Sequence, residues 1–134
     1  MRVEHIALQV KDPLAVVDWY AQNLGFRVVR AAGGPAQTHF LADAAGAVVL
    51  EIYHNPAAPQ PDYCAMNPLV LHIAFAVEDI VAAQDQLIKA GATSFSPPET
   101  LASGDEIAML RDPFGLAIQL ARRKSPLVRG PAQI

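Results

Sequence analysis

The sequence has a single cysteine, few charged residues and no long hydrophobic run. Of its 134 residues, 17% are charged and 52% are hydrophobic. Cys64 has no partner in its own chain, which excludes a disulfide framework and a zinc site built from several thiolates. The apolar composition is unlike that of disordered chains, and no apolar run approaches the length that spans a bilayer. The sequence therefore predicts one soluble globular domain.

Targeting and phosphate-binding signals are also missing. The chain begins at Met1 and enters an alternating, strand-like pattern at once, without the hydrophobic core of a signal peptide. Gly33 and Gly34 indicate a hairpin turn, and no glycine-rich phosphate loop is present. We therefore expect a cytoplasmic protein that makes no membrane contact.

Acidic residues dominate most of the chain. Residues 1–121 contain six basic and thirteen acidic residues, a net charge of −7, whereas residues 122–134 contain four basic residues and no acid. Because nucleic-acid binding requires a basic face, we expect no nucleic-acid partner. The segment 123–134, which is basic and contains two prolines, is interpreted as a C-terminal tail.

The chain contains an internal repeat. When residues 3–18 are aligned with residues 70–85, eight of the sixteen positions are identical, against about one expected by chance. The turns at 43–46 and 112–115 also correspond, and an apolar strand follows each of them. We interpret the chain as a tandem duplication with a first module at 1–55, a linker at 56–68 and a second module at 69–122.

Each module has the pattern of a βαβββ unit. Asp12 and Asp79 are suited to cap a helix that follows a first strand, and Gly25 and Gly91 are suited to end it. Three short strands follow each helix, at about 26–32, 37–43 and 47–54 in the first module and at about 93–97, 106–111 and 116–121 in the second. The predicted fold class is α+β, with tandem βαβββ modules whose uncovered sheet faces form an eight-stranded cleft. Burial of those faces makes a homodimer plausible.

Four polar side chains interrupt the apolar strands at equivalent places of the repeat. They are His5, Glu51, His72 and Gln119. If a pseudo-twofold axis relates the modules, the four side chains converge on it. Two imidazoles, a carboxylate and an amide oxygen form a plausible site for Zn, Ni, Co, Mn or Fe(II), with positions open for water or substrate. Taken singly, a histidine in a strand is more often a hydrogen-bonded core residue than a metal ligand, and Glu51 can be explained by exposure at a strand end.

The sequence resembles the vicinal oxygen chelate superfamily, which includes glyoxalase I, bleomycin resistance proteins and extradiol dioxygenases. The resemblance covers residues 1–122 and rests on segments in both modules: Val3–Ala7, Asp18–Tyr20, Leu24–Phe26, Leu71–Ala74, Arg111–Gly115 and Ile118–Leu120. It is strongest with glyoxalase I, which takes one metal ligand from the first and last strand of each module. This implies that His5, Glu51, His72 and Gln119 bind one divalent metal ion, and that a metal-bound enediolate is stabilised during the reaction of a small-molecule substrate.

Gln119 departs from the glyoxalase I pattern, which usually has a glutamate there. An amide can give its oxygen to a metal but cannot accept a proton at neutral pH. Glu51 is therefore the expected catalytic base of a lyase or isomerase. Two alternatives stay open: an Fe(II) or Mn extradiol-type dioxygenase, and a non-catalytic small-molecule binding protein similar to antibiotic resistance proteins.

Two further residues are candidates for the pocket. His39 is a candidate to line the cleft, although a surface position or local hydrogen bonding is the simpler explanation. Arg111 is suited to hold a substrate carboxylate, and pairing with a neighbouring acid is the simpler explanation.

Overall fold

The computed structural model describes residues 1–127 and divides into two compact units, Met1–Pro61 and the part of the chain that begins at Asp62. The predicted tail residues 128–134, with the basic Arg129, lie outside the described residues. No helix in the described part of the chain has the length and apolar character needed to cross a membrane.

The first unit contains one helix and one four-stranded sheet. Its elements are β1 (Ile6–Gln9), α1 (Pro13–Asn23), β2 (Arg27–Ala31), β3 (His39–Ala42) and β4 (Val49–Tyr53). The strands lie in the order β1-β4-β3-β2; β1 pairs parallel with β4, and the other pairs are antiparallel. The first strand of the unit therefore lies beside its last.

The second unit repeats this topology. Its elements are β5 (Ile73–Ala76), α2 (Ile80–Lys89), β6 (Thr93–Thr100), β7 (Glu106–Arg111) and β8 (Ala117–Arg122). The strands lie in the order β5-β8-β7-β6, and β5 pairs parallel with β8. The predicted fold class, α+β with two successive βαβββ units, is confirmed by this architecture.

Both helices begin at the predicted aspartates. The Asp12 side chain accepts a hydrogen bond from the Ala15 N–H, and the Asp79 side chain accepts one from the Ala82 N–H. Each bond satisfies one of the backbone donors that a helix leaves free at its N-terminus. Pro13 occupies the first turn of α1, where its missing N–H costs nothing.

In the first sheet, buried and half-buried residues alternate along the central strand β4. Leu50 and Ile52 of β4 are fully buried, while Glu51 between them is half-buried. Leu41 of β3, which pairs with Leu50, is also buried. Because side chains alternate across a strand, the apolar residues form one face, here called the helix face, which packs with α1. The opposite face, which carries Glu51, is called the Glu51 face.

Two polar side chains fix the segment between β4 and β5. Gln9 donates to the Asn55 carbonyl at 2.7 Å and accepts from the Asn55 N–H at 2.8 Å. Arg111 donates to the carbonyls of Tyr63 and Met66, both at 2.7 Å, and to that of Gly115 at 2.8 Å. The Arg111 guanidinium, a candidate for binding a substrate carboxylate, thus donates instead to backbone oxygens of its own unit.

Candidate metal-binding residues

His5 and Glu51 come together in the first unit. His5 directly precedes β1, and Glu51 lies in the middle of β4, opposite Ala7 in the parallel pair. Because Ala7 and His5 are two residues apart, both side chains lie on the Glu51 face. Nε2 of His5 is 3.2 Å from Oε2 of Glu51. The two side chains are 34% and 22% exposed, so solvent still reaches the pair.

A second carboxylate holds the other side of the His5 ring. Nδ1 of His5 is hydrogen-bonded to the carboxylate of Glu4. This hydrogen bond is the main reason why the pKa of His5 is raised above its ordinary value, with a smaller contribution from Glu51 and some opposition from desolvation. This role of Glu4 has no signal in the sequence, since an exposed acid beside a histidine is unremarkable by itself.

The second unit repeats the register of the first. His72 directly precedes β5, and Gln119 of β8 lies opposite Ala74 as Glu51 lies opposite Ala7. Nδ1 of His72 donates to the Pro68 carbonyl at 2.8 Å. An imidazole that donates from Nδ1 keeps the lone pair of Nε2 for a metal ion. In both units, therefore, a histidine and a side-chain oxygen donor lie on one sheet face.

His39 has the local hydrogen bond that is the simpler explanation of this residue. It is paired with Ile52 of β4, so it lies on the helix face rather than on the Glu51 face. Its Nδ1 donates to the Gln37 carbonyl at 2.7 Å. The register of β3 turns the side chain away from Glu51, and local hydrogen bonding, the simpler of the two explanations of His39, accounts for it.

The residues present fit a divalent metal ion in the chemistry of their donors and in the spacing of the first pair. Two ligands that each lie about 2.1 Å from one ion are about 3.0–3.4 Å apart, depending on the angle between them. The 3.2 Å between Nε2 of His5 and Oε2 of Glu51 falls in that range. Within residues 1–127, no group of three or more His, Cys, Asp or Glu side chains forms a metal cluster. His5 and Glu51 are therefore the predicted histidine and carboxylate ligands that the structure brings into contact with each other.

The second unit also contains a cavity of about 650 Å³. It is lined by β5, by the end of β8 and by Pro126 and Leu127, and most of these side chains are apolar. Ala74, the strand partner of Gln119, is part of its wall. The volume lies within the range of small-molecule sites.

Comparison with known proteins agrees with the fold. Over 91% of its length the chain is similar to the crystal structure of SMU.1112c, of which 98% is covered, with 28% identity and a TM-score of 0.72. A glyoxalase family protein from Enterococcus faecalis matches with 26% identity and a TM-score of 0.70, over 90% of this chain and 97% of that one.

A more distant match extends the comparison to an enzyme of named activity. A glyoxalase I variant from Zea mays has 22% identity and a TM-score of 0.73. The match covers 92% of this chain but only 46% of the Zea mays chain. At this identity the likeness shows the fold alone. Comparison with curated protein sequences gives no match.

The sequence profile of one superfamily covers nearly all of the chain. Its match extends over residues 2–120, and so includes β1 and most of β8. Both donor pairs described above lie within the matched range. The chain belongs to the glyoxalase/bleomycin resistance protein/dioxygenase superfamily.

Proposed function

We propose that this protein is a metal-dependent lyase or isomerase of the glyoxalase I type, with His5, Glu51, His72 and Gln119 as ligands of one divalent ion. The observation that carries the proposal is the His5–Glu51 pair, whose facing atoms are 3.2 Å apart. The equivalent register of Gln119 and Ala74 supports it. Members of the superfamily typically use a metal.

The proposed chemistry divides between the ion and the chain. The bound metal would polarise two adjacent oxygens of the substrate, which lowers the cost of negative charge that develops there. Glu51 would remove a proton from one carbon and return it to the neighbouring carbon, so that no proton is gained or lost overall. The carboxylate has two oxygens for these tasks, and Oε2 is the one that faces His5.

The other three side chains have supporting roles. His5 would bind through Nε2, while Glu4 holds its Nδ1. His72 would bind through Nε2, since its Nδ1 donates to a carbonyl. Gln119 would contribute an amide oxygen only, because an amide is not a base at neutral pH. Glu51 is thus the single carboxylate among the four donors, and the proton transfer falls to it.

Metal analysis of the purified protein tests the proposal. We expect about one Ni, Zn or Co ion per chain, and isomerisation of hemithioacetals of 2-oxoaldehydes that a chelator abolishes and added metal restores. The alternatives give different results. Fe or Mn with oxygen uptake on catechols would indicate a dioxygenase, and ligand binding without metal that resists chelators would indicate a binding protein. Either result would overturn the proposal.

A further inference from the structure

A row of four side chains crosses the Glu51 face of the first sheet. Ala7 is paired with Glu51, Glu51 with Phe40, and Phe40 with Arg30 of β2. Residues paired across neighbouring strands point to the same side of a sheet. Arg30 therefore lies on the same face as Glu51, two strands away, a distance of about 10 Å between backbones.

A β-bulge in β2 is the reason that Arg30 has this orientation. Arg27 pairs with Ala42 and Val28 with Leu41, but the next pair joins Arg30 to Phe40, so that Val29 is an extra residue. In a regular strand, residues three apart lie on opposite faces. The bulge places Arg27 and Arg30 on the same face, which is the effect that bulges have beside functional sites.

The two arginines differ in their surroundings. The guanidinium of Arg27 lies at the turn before β4, where Nη2 is 3.4 Å from the position that a Cβ would take at Gly46. Like Arg27, Arg30 has no side-chain hydrogen bond or ion pair within residues 1–127. The arginines of the second unit are engaged: Arg122 with Glu106, Arg123 with Asp105, and Arg111 with three carbonyls.

The second unit shows that this arginine is specific to one half of the chain. The equivalent row there consists of Ala74, Gln119, Met109 and Ser96. The first three positions match in character those of the first unit: alanine, an oxygen donor, and a large apolar side chain. Only the fourth differs, with serine in place of arginine. The fold therefore does not require a cation at this position.

We propose that Arg30 binds an anionic group of the substrate, such as a carboxylate, while the reacting end of the same molecule lies at Glu51. This inference rests on the proposed function and adds a substrate class to it: a small molecule with two adjacent oxygens at one end and an anion at the other. Phe40 lies between the two sites in the row, and its ring is T-shaped to that of His5, with 5.5 Å between centroids. It offers an apolar surface for the part of the substrate that joins the two ends.

Charge on an edge strand has another known role. β2 is at the edge of its sheet, and charged side chains there protect an edge from pairing with other chains. That role depends only on charge at the edge, so Arg27 would serve it as well as Arg30. Recognition of a substrate anion depends on position in the row, and therefore distinguishes the two residues.

The experiment compares two probes in the metal-loaded protein. One is the hemithioacetal of methylglyoxal with 3-mercaptopropionate, which carries a carboxylate, and the other is that with 2-mercaptoethanol, which is neutral. We expect the wild type to prefer the anionic probe. Arg30→Gln should lower kcat/KM for that probe about ten- to hundredfold, mainly through KM, and leave the neutral probe unchanged. Arg30→Lys should restore part of the loss, because it keeps the charge without the bidentate geometry.

Arg27→Gln is the matched control, since it removes the same charge from the same strand. We expect it to preserve the preference for the anionic probe. Equal use of both probes by the wild type, or equal losses in the two glutamine variants, would overturn the role of Arg30 and leave the proposed function intact. A protein that binds no metal and converts neither probe would overturn the proposed function, and this inference with it.

Discussion

The His5 imidazole faces the Glu51 carboxylate across two parallel strands, with 3.2 Å between Nε2 and Oε2. The residues come from opposite ends of the first unit, and the pairing of β1 with β4 brings them together. The same arrangement of strands in the second unit places His72 and Gln119 on one face.

Replacement of Glu51 tests its role as a base. Glu51→Gln keeps an oxygen for the metal but cannot accept a proton, so we expect turnover of a hemithioacetal to fall at least about a hundredfold. The circular dichroism spectrum and the unfolding midpoint should stay close to those of the wild type. Asp18→Asn, the same change of acid to amide on the exposed surface of α1, is the control and should leave turnover unchanged. Full activity of Glu51→Gln would exclude this residue as the base.

Removal of a histidine tests the metal ligands. His5→Ala should weaken binding of Ni or Zn at least about tenfold, as measured by competition with a chelator of known affinity. His39→Ala is the matched control, because His39 lies on the helix face of the same sheet. We expect this variant to bind metal like the wild type. Equal losses in the two variants would contradict the assignment of His5.

The turn between β7 and β8 offers a test of close packing. Gly115 has a φ of +93°, and a Cβ there would lie 2.3 Å from Sγ and 2.8 Å from the backbone N of Cys64. Gly115→Ala should therefore lower the free energy of unfolding by about 3 kcal/mol, through backbone strain together with the clash.

Gly34→Ala isolates the strain component of this loss. Gly34 has nearly the same φ, +94°, and nothing within 4 Å of its Cβ position. We expect this variant to lose only about 1 kcal/mol in urea unfolding. Equal losses at the two positions would show that Cys64 does not pack against Gly115 in solution.

Stability at low pH should depend on Asp105. The Lys124 N–H and the Arg123 guanidinium bind its carboxylate, and they hold its pKa below the ordinary value of 3.8. A lowered pKa in the folded state stabilises the fold above the pKa of the unfolded chain, and this contribution is lost as the pH falls through the folded value. Asp105→Asn should therefore be less stable than the wild type at pH 7 and should approach it near pH 3.

Urea unfolding midpoints at pH 7 and pH 3 measure this effect. Asp85→Asn removes an exposed acid of α2 and serves as the control. Its difference from the wild type should be small and nearly the same at the two pH values. A difference for Asp105→Asn that does not shrink on acidification would show that the contacts with Lys124 and Arg123 do not form.

Much of the architecture could be predicted because the sequence contains two similar copies of the same unit. The match of His5-Ile6-Ala7 to His72-Ile73-Ala74 anticipated that both first strands begin in the same way, although the regular strands prove shorter than the predicted segments. Asp12 and Asp79 predicted the helix starts correctly, since a capping side chain acts locally. The register of Glu51 with Ala7 follows once β1 and β4 are neighbours.

Other features depend on pairing between strands and escaped prediction. The bulge at Val29 has no local signature in β2, so alternation alone would place Arg27 and Arg30 on opposite faces. The face on which His39 lies is decided by its partner Ile52, which is thirteen residues further along the chain. Arg111 donates hydrogen bonds to carbonyls of the segment before β5. Composition cannot indicate contacts between residues so far apart in the sequence.

The parallel pairing of first and last strands also determines when each donor pair exists. His5 and Glu51 are 46 positions apart, and His72 and Gln119 are 47 apart. Contacts of such separation form only after the entropy of closing the intervening chain has been overcome, and they slow folding. During synthesis, the first pair is complete only after β4 has left the ribosome, and the second only after β8. Each unit is thus fully translated before its own donors can meet.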